Sequence, residues 1–296
     1  MSRPRDIDIF LSSYQGQRSN PSAVNNYLFY TNQIPCQPDG QKYDEWMKSS
    51  ERDFIELEMN HGFVQWFFPI RERGVNPLAQ PLEVHEIEEM KDNPDILNRL
   101  LRSYKMMLGF YGIDFNNGKL SLSNDHKERL QNLRDHSHNL LRITRILKHL
   151  SEFPALQPHA STLVLFFTAI HSEGLLSFQE GTMRGQSLDQ WWSNCFRNED
   201  ERNAVRKIVR SRGGYGEKVW GWDKFDEWYE NRSVSSRGYK GEGFKSERLS
   251  MARLLRKNKH DAEEKDTERA ESIAGSDRTK TFKPQVNWNK KDEGSL

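Results

Sequence analysis

The run over residues 61–77 constrains this chain more than any other stretch. Phe63, Val64, Trp66, Phe67 and Phe68 are large and apolar, interrupted only by Gln65. They lead into a charged segment punctuated by Pro69, Gly74 and Pro77. Such a run is too apolar to stay in water. It is also too short to cross a bilayer, which takes about 20 apolar residues. It must sit in a core or form a binding surface. It follows a helical pattern that stops near Gly62, which suggests an extended segment threaded against a bundle.

The rest of the chain up to residue 211 reads as helical. Trp46, Phe54 and Leu57 predict one helix over residues 44–60. Val84, Ile87 and Met90 predict a short helix within residues 83–92. Asn93 and Pro94 form a cap and first-turn pair. They open a long helix through Leu97, Leu100, Leu101, Tyr104, Met107, Leu108 and Tyr111, stopping at Gly112. Asn116-Asn117-Gly118 reads as a turn, and Asn124 as the cap of a helix carrying Leu130 and Leu133. From His138 onward, Leu140, Leu141, Ile143, Thr144, Ile146, Leu147 and Leu150 are expected to face inward. Arg142, Arg145, Lys148 and His149 then occupy the other side. Residues 161–172 are apolar almost all round, the mark of a central helix. Residues 188–196 and 198–211 complete the series. Strand-like alternation is scarce, so the expected fold class is all-α, a single irregular helical bundle.

Composition limits how far that bundle extends. The chain has 296 residues, 29% charged and 35% hydrophobic, too polar to pack around one core along its whole length. Order is expected over residues 26–212, beginning with the apolar anchor Tyr27-Leu28-Phe29-Tyr30. Residues 1–25 read as a flexible leader and residues 213–296 as a mostly disordered, charged tail. Two exceptions stand out in that tail. Trp220, Trp222, Phe225, Trp228 and Tyr229 form an aromatic cluster fit to dock on the body. Residues 246–264 predict a charged helix around Leu249, Met251, Leu254 and Leu255. Residues 26–199 hold 18 Lys/Arg against 23 Asp/Glu, and residues 200–296 hold 23 against 18. A mildly acidic body thus carries a mildly basic tail, a balance too even to argue for nucleic acid. Two cysteines, Cys36 and Cys195, make no disulfide framework and fit a reducing compartment. With no apolar stretch after Met1 and no membrane-length run, an intracellular protein is expected.

The chemistry-bearing patterns are incomplete. His85-Glu86-Ile87-Glu88-Glu89 lacks the second histidine of a zinc-protease helix. His171-Ser172-Glu173 has the H-x-E of zinc deaminases, but Cys195 stands alone. His126, His136 and His138 have no carboxylate or thiol spaced to complete a metal site. Gly213-Gly214-Tyr215-Gly216 follows a helix and reads as a hinge. Neither an enzyme nor a cofactor is expected. Arg142, Arg145 and Lys148 share a helix face that either is solvated or grips an anion or an acidic partner helix.

Several blocks in order resemble the conserved region of the opioid growth factor receptor family. They are Asn26-Tyr27-Leu28-Phe29-Tyr30-Thr31-Asn32-Gln33-Ile34-Pro35, then His61-Gly62-Phe63-Val64-Gln65-Trp66-Phe67-Phe68-Pro69. Gly74-Val75-Asn76-Pro77, Leu100-Leu101-Arg102-Ser103-Tyr104 and Phe110-Tyr111-Gly112 follow. The last is Leu141-Arg142-Ile143-Thr144-Arg145-Ile146-Leu147-Lys148. The resemblance implies a non-catalytic receptor for an enkephalin-type opioid peptide that restrains cell proliferation. It also implies a nuclear or perinuclear location with peripheral membrane association. A pocket for such a peptide needs aromatic walls and a carboxylate. Trp66, Phe67 and Phe68, with Glu58 or Glu72, are the candidates. The competing reading places the three rings in the core. The runner-up function is an interaction scaffold whose basic tail binds nucleic acid or acidic protein partners.

Overall fold

The computed structural model describes residues 3–241. The charged helix expected over residues 246–264, and the disorder expected past residue 241, lie outside the described residues. In chain order come α1 (Arg5–Leu11), α2 (Asn25–Tyr30), α3 (Tyr43–Ser50), α4 (Phe54–Met59), α5 (Val64–Phe67), α6 (Val84–Met90) and α7 (Pro94–Phe110). A hairpin of β1 (Ile113–Asn116) and β2 (Lys119–Leu122) follows. Then come α8 (His126–Asp135), α9 (His138–Glu152), α10 (Gln157–Ser172), α11 (Met183–Gln186), α12 (Glu199–Arg210) and α13 (Trp222–Glu230).

Helix α10 is the axle. Every residue from His159 to Ser172 is buried, as an all-round apolar sequence requires. It packs against α9, α12 and α13 and touches β2. Helix α7 begins as its sequence dictates, with Asn93 Oδ1 accepting from the amides of Asp95 and Ile96 at 3.0 and 3.3 Å. It ends at Gly112, whose φ of +78° and close approach to the His126 backbone admit no side chain.

The fold is mostly helical but not all-α. The turn expected at Asn116-Asn117-Gly118 closes a hairpin in which Asn116 itself pairs with Lys119. Asn117 and Gly118 have φ of +52° and +94°. Two left-handed residues in a two-residue loop match the strand twist, so an Asn-Gly pair converts a turn into a hairpin.

Part of the segment expected as a loose leader is helical. Ile7 and Phe10 of α1 are fully buried. The Arg197 guanidinium lies 4.0 Å from the Phe10 ring centre. One short amphipathic turn suffices to anchor the N-terminal stretch. The single helix expected over residues 44–60 is two, because Asp53 accepts from the Glu56 amide at 3.0 Å and starts α4 afresh. The run after Gly62 is not extended. It coils into the one-turn α5, and the Phe67 ring meets Phe29, Tyr43, Trp46 and Phe63 with centroids 4.5–5.7 Å apart.

Residues 213–241, expected to be mostly disordered, are ordered. The aromatic cluster docks as its composition suggests. Trp222, tilted, and Phe225, edge-on, meet the Phe166 ring with centroids 5.1 and 5.3 Å away, and Trp220 Nε1 donates to the Leu165 carbonyl at 3.2 Å. Glu173 serves this docking by accepting from the Trp222 amide at 3.0 Å, whereas His171 Nδ1 accepts from the Phe178 amide at 2.9 Å and fixes the segment after α10.

Candidate ligand-binding cleft

Helix α9 does not present a solvated basic face. Arg142 and Lys148 are 6% and 2% exposed, whereas Leu141 is 73% exposed. The cause lies in the segment α9 packs against. Residues 57–72 turn irregularly, so many of their carbonyls lack backbone partners, and buried carbonyls need donors. Helix α9 supplies them. Arg142 Nη1 donates to the Leu57 carbonyl at 2.7 Å, and Nη2 to those of Glu58 and Asn60 at 3.2 and 3.0 Å. These are the free carbonyls at the C-terminal end of α4. Arg145 Nε donates to the Phe68 carbonyl at 2.7 Å. His149 Nδ1 donates to that of Pro69 at 2.8 Å, leaving Nε2 buried without a partner. Burial therefore pushes His149 down to about 4.

Between α9 and residues 70–75 lies a cavity of about 430 Å³. Arg142, Arg145, Lys148 and Glu72 all line it, joined by Asp6 from α1 and by Trp191. Lys148 Nζ sits between Glu72 Oε1 at 2.8 Å and Asp6 Oδ2 at 2.9 Å. Trp191 Nε1 donates to the other oxygen of Asp6 at 3.2 Å, and the Tyr14 hydroxyl to Glu72 at 3.1 Å. Gln65 lines the same cavity with its Oε1 buried and unpartnered. Leu141 and Val75, 73% and 83% exposed, give it an apolar rim. The volume falls within the range of small-ligand sites.

Trp66, Phe67 and Phe68 do not line this cavity. All three are buried in the core, with Trp66 Nε1 donating to the Gln37 carbonyl at 3.0 Å. Glu58 is also elsewhere. It edges a second hollow, of about 1030 Å³, beside α4 and α8. There it accepts from Asn132 and Asn139 at 2.7 and 3.1 Å and lies 2.8 Å from His138 Nε2. Burial raises the Glu58 carboxyl, but those hydrogen bonds and the charges of His138 and His136 outweigh it and hold it below the usual value. The cleft thus joins the Glu72 carboxylate to Arg142, Arg145 and Lys148, and leaves the Glu58 carboxylate and the rings of Trp66, Phe67 and Phe68 outside its lining. Asp6, Gln65 and Trp191 were not legible as site residues, because nothing local marks them. They are distant in sequence and meet only through tertiary packing.

Other patterns resolve into support. Glu86 accepts from the amides of Asn26 and Tyr27 at 2.9 and 3.2 Å and so caps α2. Burial pushes the Cys36 and Cys195 thiols up to about 12, so neither is a poised thiolate.

In architecture this is an irregular helical protein with a ligand-sized cleft and, among the described residues, no cluster of side chains able to hold a metal ion. No described helix is long and apolar enough to cross a membrane. The chain belongs to the opioid growth factor receptor family: the family's pattern, described as the opioid growth factor receptor (OGFr) conserved region, matches residues 19–226. It is 41% identical over 199 residues to the opioid growth factor receptor of Mus musculus, covering 66% of this chain and 31% of that protein. It is 44% identical over 135 residues to opioid growth factor receptor-like protein 1 of Xenopus tropicalis, covering 45% and 26%. With opioid growth factor receptor-like protein 1 of Mus musculus it shares 36% over 201 residues, covering 67% and 42%. The chain thus spans less than half the length of each of these relatives. Their names are those of receptors, not enzymes. No solved structure matches the chain.

Proposed function

We propose that this chain is a non-catalytic binding protein that takes an opioid-type peptide in the cleft between α9 and residues 70–75. The observation that carries the reading is the exposure of Leu141. An otherwise core-facing helix leaves this side chain 73% exposed, on the rim of a cavity that also holds Glu72 and Asp6. An enkephalin-type peptide offers a cationic amine, two aromatic rings, an apolar end and a carboxylate. Glu72 and Asp6 accept from the amine. Leu141, Val75 and Trp191 cover the adjoining ring. The cavity of about 430 Å³ holds one end of such a peptide, not all of it. Restraint of cell proliferation, a nuclear or perinuclear location and peripheral membrane association belong to the same reading. They rest on the family resemblance.

Calorimetric titration of the whole chain with methionine-enkephalin tests it. Binding is expected, with at least a tenfold loss in Leu141→Asp and Val75→Asp, whose exposed positions leave the fold intact. An absence of heat with the wild-type chain removes the peptide reading. Undiminished binding by both variants moves the site elsewhere.

A further inference from the structure

Helix α12 carries Arg202, Arg206 and Arg210 at i, i+4 and i+8. One face therefore holds three guanidinium groups spaced about 6 Å along the axis. Arg3, just ahead of α1, adds a fourth. The charges of Arg210, Arg3 and Arg202 all bear on Arg206 and, after burial, hold its pKa below the ordinary arginine value. Like charges at this spacing destabilise a helix, a cost that Arg206, flanked on both sides, meets in full.

Two of the four are partly answered. Arg3 Nε lies 3.0 Å from Asp8 Oδ1. Arg202 Nη1 donates to the Phe196 carbonyl at 2.8 Å, and its Nη2 is 3.8 Å from Glu199 Oε1. Arg206 is not answered. It is half-buried and has no ion pair or hydrogen bond among the described residues, and its Nε is buried without a partner. Arg202 Nε is buried and unpartnered in the same way.

We infer that this face of α12 is an anion site centred on Arg206, and that its ligand is a phosphomonoester carried on a peptide. The charge fits: four guanidinium groups against the carboxylates of Asp8 and Glu199 leave two positive charges, the complement of a phosphomonoester dianion. The geometry fits too, since guanidinium forks pair two oxygens at once and a phosphate presents three. A nucleic-acid strand fits less well. The first turn of α12 holds Glu199, Asp200 and Glu201, and these repel the next phosphates of a continuous polyanion.

The test is fluorescence anisotropy of the whole chain with a labelled phosphoserine peptide, its unphosphorylated twin and a labelled single-stranded oligonucleotide. The phosphopeptide is expected to bind at least tenfold tighter than either. Inorganic phosphate is expected to displace it at millimolar concentration, and rising salt to weaken it. Arg206→Gln should lose at least tenfold, and Arg206→Lys should keep part of the affinity. Arg210→Gln, at an exposed position, should lose affinity with an unchanged melting curve, which covers a failure of the Arg206 variants to fold. Equal binding of the twin, a preference for the oligonucleotide, or full affinity in Arg206→Gln and Arg210→Gln overturns the assignment.

Discussion

Lys148 Nζ lies 2.8 Å from Glu72 Oε1 and 2.9 Å from Asp6 Oδ2, so one ammonium group ties α9 to the loop after α5 and to α1. Burial pulls the amine down, but the carboxylate of Glu72 and the hydrogen bond to Asp6 outweigh it and hold the lysine above its ordinary value. Lys148 is 2% exposed, yet the side chains of Asp6 and Glu72 are 43% and 26% exposed. Lys148→Met leaves two carboxylates without their cation. Water reaches both of them, so the cost falls short of a fully buried pair, at about 2 kcal/mol. Urea unfolding measures it, and amide exchange should show α1 loosening first. A change in stability below about 0.5 kcal/mol would mean the cluster contributes nothing net.

Arg142 supports the same wall differently. Its guanidinium answers three carbonyls at the end of α4, at 2.7, 3.2 and 3.0 Å. Arg142→Met keeps most of the packing volume and removes all five donors. Each stranded carbonyl costs about 1 kcal/mol, so the expected loss is about 3 kcal/mol. Arg142→Lys, with one compact ammonium, should recover only part of it. Chemical denaturation of the two variants checks the order; equal stability of wild type and Arg142→Met would show that water replaces the guanidinium.

These two side chains also explain what the sequence could and could not reveal. Helices α7, α9 and α10 are legible because 3.6-residue periodicity and the Asn93-Pro94 pair are local signals. The fate of Arg142, Arg145 and Lys148 is not local. A basic residue reads as solvated unless one knows that an irregular segment 70 to 90 positions earlier turns its carbonyls toward it. Leu141 fails in the opposite sense, since periodicity assigns it to the core and only the cleft beside it explains its exposure. Helix α1 leaves no such signal, because a seven-residue element with two buried apolar residues has too little pattern to rise above a polar surrounding.

The hairpin yields a third expectation. A side chain at Gly118 would adopt φ near +94° and meet the Tyr229 hydroxyl at 2.7 Å. That hydroxyl is itself buried without a partner. Gly118→Ala should cost about 2 kcal/mol, part from the left-handed backbone and part from the collision. Tyr229→Phe should be neutral or stabilising by itself. In its background, Gly118→Ala should cost less, because the colliding oxygen is gone. Thermal melts of the four proteins read this cycle. Strict additivity would show that α13 does not rest on the turn.

Acid should undo the fold through two buried histidines. His149 donates from Nδ1 to the Pro69 carbonyl, and His159 from Nε2 to that of Tyr239 at 2.7 Å. The second nitrogen of each ring is buried and unpartnered. Burial pushes both down from 6.5 to about 4. The unfolded chain therefore takes up these protons below pH 6.5, and the folded chain not until about 4. Stability is complete above the unfolded value and falls as pH drops through this window, by about 3 kcal/mol per histidine. Glu58, held below its usual value, adds a further loss once the pH passes under the ordinary carboxylate range. The urea midpoint should be flat from about pH 8 to 7 and decline steeply from about 6.5 to 4. His149→Gln should remove about half of that slope while lowering stability at neutral pH. Since His159 holds the Tyr239 carbonyl, amide exchange over residues 238–241 should accelerate at the acid end of the window. A midpoint independent of pH down to about 4 would mean that neither histidine is kept neutral by the fold.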